Sequence, residues 1–320
     1  MTYGLLARVV RSGFVEGEHR GTAVALDPAG AVVAAVGDVT APIFPRSSNK
    51  PMQAVAMLRA GLRLDGHLLA LAASSHSGER YHQDGVARVL GAAGLTVDAL
   101  RNTADLPLDE VDRLAWQVAG RAPTAQAQNC SGKHAAMLAT CAENDWPLDT
   151  YLDPVHPLQT TIAATVADLA GEAVAATGVD GCGAPVLAIS TVGLARAFAR
   201  ISTAPAGTPE ARVADAVRTH PEWLGGTGRD VTAVLRAVPG LVAKDGAEAV
   251  YAAALPDGRA VAVKVADGSD RARVQTLVAL LRRLGVEDGA DGVDGAALDA
   301  LAHVPVLGHG REVGVVEVAF

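Results

Sequence analysis

Hydrophobic and polar positions change their period along this chain. Both ends read as strands and the middle reads as helices. Residues 4–10 form an apolar run. Residues 21–26 and 31–36 flank Asp27-Pro28-Ala29-Gly30, whose Pro and Gly suit a tight reversal, and predict a hairpin. A second hairpin is predicted late, with 249–255 and 260–266 on either side of Pro256-Asp257-Gly258. Residues 313–320 are again Val-rich and strand-like. Between the ends, apolar residues recur every three or four positions. Val86, Val89, Leu90 and Ala93 run up to Gly94, and Leu158, Ile162, Val166 and Leu169 form another stripe. Val274, Leu277, Leu281 and Leu284 make one face of a helix opened by Ser269 or Asp270.

Hairpins imply antiparallel pairing, since parallel strands need crossovers. The pattern therefore predicts an α+β fold, with an antiparallel sheet built from both termini and covered by the last helix. The sheet draws on about residues 1–40 and 245–320, the helical region spans about 45–240, and the whole is one domain over 1–320. A dinucleotide-binding βαβ series is excluded. Asp288, Asp291 and Asp294 repeat every three residues, whereas an EF-hand spaces its acids by two, so this tract reads as a surface loop.

Composition sharpens the picture. Half the residues are hydrophobic but only 3% are aromatic, so Ala, Val and Leu must build the core. A net charge of −8 without Lys/Arg blocks argues against nucleic-acid or anionic-membrane binding. So few aromatics argue against stacking on a large planar group, and no organic cofactor is expected. Arg8, Arg11, Glu16 and Glu18 break the early apolar runs, and neither an export signal nor a membrane span is predicted. Cys130, Cys141 and Cys182 contain no close pair, which fits a reducing, cytoplasmic location.

Five clusters carry candidate chemistry. In Phe44-Pro45-Arg46-Ser47-Ser48-Asn49-Lys50-Pro51, Pro51 suits a first helical turn, which puts Ser47 at a helix N-terminus with Lys50 one turn along. A serine needs a base, and a lysine serves when desolvation and nearby positive charge lower its pKa. A capping serine beside a solvated lysine explains the same residues. Ser74-Ser75-His76-Ser77-Gly78-Glu79 is a polar knot after a buried run; a binding group and a helix-capping turn are both open readings. Asn129-Cys130-Ser131-Gly132-Lys133-His134 opens a helix where a thiol pKa falls, while Cys141 further along reads as a core residue. It is not a phosphate loop, because Ala127 stands where the first glycine belongs. Asp180-Gly181-Cys182-Gly183 exposes backbone and a thiol, as a tight turn also would. Lys264 lies in a Val/Ala strand end before Asp267-Gly268, and periodicity does not decide which way it faces.

Together these ordered clusters, with Lys244-Asp245-Gly246-Ala247-Glu248 before the late hairpin, resemble the rhizobial-type L-asparaginases, also called the class 3 or asparaginase II family. The resemblance covers nearly the whole chain. It implies a fold similar to that of serine β-lactamases, penicillin-binding proteins and serine glutaminases. It also implies two Ser–Lys pairs, here Ser47 with Lys50 and Ser75 with Lys264, and a zinc ion held by Cys130, Lys133 and Cys182 with Asp180 in support through water. Spacing alone would have denied zinc. A homodimer is a further family-level expectation.

The reaction this implies is hydrolysis of L-asparagine to L-aspartate and ammonia. Ser47 attacks, Lys50 takes its proton, Ser75 and Lys264 relay protons, and Arg46 with the Cys130–His134 region grips the amino-acid head group. Three rivals share parts of this pattern. A β-lactamase or cell-wall peptidase would need an export signal. A glutaminase differs by one substrate methylene. A catalytically silent zinc protein would keep only the metal residues.

Overall fold

Strand β2 is twice as long as its apolar core suggests, and that length organises the sheet. The structure is a computed structural model and describes residues 2–320. β1 (Gly4–Arg11) turns through Ser12 and Gly13 into β2 (Phe14–Leu26). The first half of β2 pairs with β1, and its second half pairs on the same edge with β3 (Val32–Val36). The crossing point is Gly21. A Cβ there would lie 2.0 Å from the carbonyl oxygen of Lys264, so only glycine lets the strands pack.

Three further strands, β4 (Pro42–Ile43), β5 (Ala176–Val179) and β6 (Pro185–Ser190), form a small separate sheet in the order β4-β6-β5. The main sheet is completed by β7 (Val242–Gly246), β8 (Val250–Ala254), β9 (Ala260–Val265), β10 (Pro305–Gly308) and β11 (Arg311–Val318). Its order is β10-β11-β1-β2-β9-β8-β7, and all of these pairings are antiparallel. The chain ends thus meet directly, with Ala7 opposite Val318 and Arg11 opposite Gly314. This is the α+β architecture that the hairpins predicted.

Every residue of β7 and β8 is buried, which requires cover on both faces. The helix Arg273–Arg283 packs on β8 and β9 as expected, and so does the helix Thr191–Ser202. The predicted stripe 86–93 lies in a helix that begins earlier, Arg80–Ala92. The stripe 158–169 lies in Pro157–Ala170, opened by the His156 side chain and ended by left-handed Gly171. The acidic tract is a surface loop, and Asp294 caps the helix Gly295–Ala302. The core is rich in Ala, Val and Leu, with Tyr151, Phe198 and Tyr251 among its few aromatics. Among the described residues no helix is long and apolar enough to cross a membrane.

Candidate active site

The turn that carries Ser47 is backbone-strained. Arg46 adopts φ +53°, a left-handed conformation that costs a non-glycine residue about 1–2 kcal/mol. Residues Arg46–Asn49 then form a 3-10 turn that runs into the helix Lys50–Arg59, with Pro51 in its first turn. In a 3-10 turn, side chains three apart eclipse, so Ser47 and Lys50 lie on one side. The Ser48 hydroxyl is used up in a 2.6 Å bond to Pro45 O. The Ser47 hydroxyl makes no hydrogen bond among the described residues and keeps some exposure, 8% for the residue. Gly246 at the end of β7 braces this turn from above; a Cβ there would stand 2.7 Å from Pro45 O.

Lys50 is buried and its ammonium nitrogen reaches across to the second cluster. Nζ donates to Ser74 O (2.6 Å), Ser75 Oγ (3.0 Å) and Cys130 Sγ (3.1 Å). The Ser75 hydroxyl therefore does not cap a helix; the following helix starts at Arg80, and its N-cap is Glu79. The rest of the knot fastens neighbouring loops. Ser77 Oγ donates to Gly225 O, and the Glu79 carboxylate accepts from Thr227 N and Oγ1. His76 is fully buried. Gly78 N donates to its Nδ1 (3.1 Å), so the proton sits on Nε2 and goes to Ser131 Oγ (2.9 Å). Burial holds this imidazole well below its usual pKa, with nearby His82, Lys50 and Arg229 adding to the effect.

Cys130 and Cys182 meet in a small buried cluster with Ala184, and all three cysteines are free thiols. A hydrogen bond from Cys182 holds the Cys130 thiol well below its usual range, against the effect of burial, and Lys50 and Lys133 reinforce this. Lys133 Nζ donates to Cys182 Sγ at 3.1 Å. Burial opposes the Lys133 charge, but Cys182, Cys130 and Asp180 outweigh it and hold the ammonium above its usual range. His134 is also fully buried. Its Nδ1 pairs with Tyr151 Oη (2.8 Å), and its Nε2, without a well-directed partner, lies beside Cys182. Burial pushes its pKa down to about 4. His134 thus lines the sulfur pocket rather than an open face. Cys141 is buried in the main core.

Asp180 accepts from Arg46 Nε at 2.8 Å and links the glycine-dense loop to the Ser47 turn. Burial is opposed by Lys133 and Arg46, which together hold the Asp180 carboxyl below its usual range. Lys264 is half-buried on β9 and faces the same region. Its Nζ donates to Glu248 O rather than to Ser75, so the Ser75–Lys264 pair implied by the resemblance is not a direct contact here. Burial lowers the Lys264 pKa, and Arg46 adds to that.

A set of buried charges gathers around β7. Lys244 is completely buried and donates to Asp245 Oδ1 and, at 2.8 Å, to Asp245 O. Arg229 pairs with Asp245 Oδ2 (2.7 Å), while Arg273 bonds Asp230 (2.6 Å) and Gly246 O (3.3 Å). Burial pushes Lys244 down to about 8. This network fixes the strand end that braces Ser47. Only two charged residues in a row inside an apolar strand hinted at it.

Among the described residues, no three His, Cys, Asp or Glu side chains cluster closely enough to hold a metal ion by themselves. A metal here would need Lys133 to complete the set with Cys130 and Cys182. The donors fit: two sulfurs and one amine already converge, and the unpaired Nε2 of His134 borders them. The contact that Lys133 makes with Cys182 through a proton is one that a metal would replace.

No curated protein sequence matches the chain. Among solved structures it is similar to a β-lactamase from Mycobacterium bovis, at 15% identity and a TM-score of 0.47, covering 82% of this chain and 93% of that one. It is similar to Mglu in its native form at 15% identity and a TM-score of 0.44, covering 83% of this chain. The chain spans 64% of the length of Mglu. EstCE1, a hydrolase with promiscuous acyltransferase activity, is similar at 13% identity and a TM-score of 0.39, covering 87% of this chain and 93% of that one. The sequence profile described as L-asparaginase II matches residues 7–318. That match starts in β1, ends in β11 and takes in every group described above, and the chain belongs to the L-asparaginase II family.

Proposed function

We propose that the protein hydrolyses the side-chain amide of L-asparagine to L-aspartate and ammonia, with Ser47 as nucleophile. The observation that carries this reading is the buried Lys50 amine, one turn from the free Ser47 hydroxyl and 3.0 Å from Ser75 Oγ. Ser47 has the accessible hydroxyl on a strained turn, whereas Ser75 is deeper and already bonded. In the reactive form Lys50 has released one proton to solvent and is a neutral amine; Ser47 Oγ then attacks the amide carbon and its proton passes to Lys50 Nζ. Through Ser75 that proton reaches the departing nitrogen, which leaves as ammonia, and an ester to Ser47 remains. Lys264, made a readier base by burial, assists Lys50 in activating the water that frees aspartate. Backbone N–H groups at the helix start stabilise the oxyanion. Arg46, its Nε held by Asp180, turns its remaining nitrogens to the substrate α-carboxylate.

Zinc is part of this proposal as a bound ion on Cys130, Cys182 and Lys133. When bound, it supplies a fixed positive charge beside Lys50 and the substrate. The Lys133 side chain must lose its proton to take part, so binding would release protons.

The test is ammonia release from L-asparagine and L-glutamine, with and without a chelator. A higher kcat/KM on asparagine supports the reading. A higher value on glutamine makes the protein a glutaminase. No ammonia from either, with zinc bound, favours a silent zinc protein.

A further inference from the structure

The turn between β7 and β8 contains two consecutive non-glycine residues in the left-handed region, Glu248 (φ +59°) and Ala249 (φ +52°). Such strain persists only where the surroundings enforce it. Here the enforcing contact is visible, since Lys264 Nζ grips the carbonyl oxygen of Glu248. Nearby, left-handed Gly268 leaves room for the Glu248 side chain: a Cβ at 268 would stand 2.5 Å from Glu248 Oε2. The carboxylate is held at the mouth of the site, 59% exposed, with Oε1 3.9 Å from Arg46 Nη1. That gap is too long for a hydrogen bond and short enough for the charges to act together.

We infer that Glu248 is the anchor for the α-ammonium group of the substrate, paired with Arg46 as anchor for its α-carboxylate, so that the site selects zwitterionic α-amino-acid amides. This deepens the proposed function and rests on it. A guanidinium and a carboxylate side by side but unbonded match the two charges of an amino-acid head group. The side chains of the Cys130–His134 region do not reach the mouth: Cys130, Lys133 and His134 are all buried. Glu248 would bind substrate and take no part in bond making.

The experiment compares L-asparagine with succinamate, which has the same amide and α-side carboxylate but no ammonium group. Glu248→Gln, exposed and nearly isosteric, is measured against the unaltered protein. The expected result is a rise of about tenfold in KM for asparagine with kcat little changed, partial rescue by Glu248→Asp, and no loss with succinamate. If succinamate is not turned over, displacement by aspartate and by succinate supplies the same comparison: Glu248→Gln weakens aspartate alone. The inference is overturned if both ligands bind better in Glu248→Gln, which would make Glu248 a mere counter-charge to Arg46 and Lys264. It is overturned equally if neither ligand changes. Failure of the unaltered protein to release ammonia from any amino-acid amide would instead sink the underlying function.

Discussion

Lys50 bonds the hydroxyl of Ser75, 25 positions along the chain, at 3.0 Å. The serine one turn before it is left with a free hydroxyl. The two serines are thus in different states, one accessible and unbonded and one engaged by the amine.

Replacing Ser47 by Ala is expected to lower ammonia release by several orders of magnitude while leaving thermal unfolding unchanged, because its hydroxyl makes no structural bond. Ser75→Ala should keep a larger residual rate and lose stability by about 1 kcal/mol, since it removes a buried partner of Lys50. A coupled ammonia assay and calorimetry on both variants check this. A dead Ser75→Ala enzyme beside a near-normal Ser47→Ala enzyme would reverse the assignment.

Gly246→Ala tests the brace on the turn. The added methyl meets the main-chain oxygen of Pro45 at 2.7 Å, and backbone cannot swing aside as a side chain can. A loss of roughly 1–3 kcal/mol in urea unfolding is expected. Activity should fall further than stability explains, by about a hundredfold, because the clash displaces the Ser47 turn. Unaltered kcat would mean that the turn is positioned from elsewhere.

Acid should destabilise the fold through His82. This side chain is fully buried, its Nε2 donates to Glu222 O and its Nδ1 has no partner. Burial pushes its pKa down to about 4, below the 6.5 of an exposed histidine. Between these values the unfolded chain binds the proton and the folded chain does not, so stability rises with pH through this window and falls as pH drops. The loss attributable to His82 is roughly 3 kcal/mol by pH 4. His82→Phe should flatten that part of the stability profile, since Glu222 O keeps Tyr81 as a donor.

Metal analysis tests the sulfur pocket. Protein dialysed against zinc is expected to retain the ion, and Cys130→Ser or Cys182→Ser should release most of it. Chelation should lower the Tm of the unaltered protein and leave both variants where they were. Equal zinc contents in all three would remove Cys130 and Cys182 as ligands.

Much of the fold was legible because its signals were local. The Asp27–Gly30 and Pro256–Gly258 turns announced their hairpins, and apolar spacing marked the helices that contain Val86, Ile162 and Leu277. The β4-β6-β5 sheet was hidden because β4 has two residues and β5 is a short exposed edge. The start of β2 was hidden because Glu16, Gly17 and Glu18 interrupt its apolar run. In the site, clusters were legible by their composition, but their partners were not. Nothing in the spacing of Ser47 and Lys50 tells that the amine leans towards Ser75, since that depends on how residues 74 and 130 approach the helix. The buried Lys244–Asp245–Arg229 network was legible only as an odd charged pair in an apolar strand, because Arg229 lies 15 residues before Lys244 and meets Asp245 only in the folded chain.

The pairing of β1 with β11 has a consequence for synthesis. Residues 47, 50, 75 and 130 leave the ribosome in the first half of the chain, yet their brace is at Gly246, their second lysine is at 264, and the sheet edge that receives β1 is the last strand made. Contacts of such long sequence separation form late and slowly. The two serines and Cys130 therefore reach their final setting only once β7, β9 and β11 have taken their places, so the site is assembled at the end of folding.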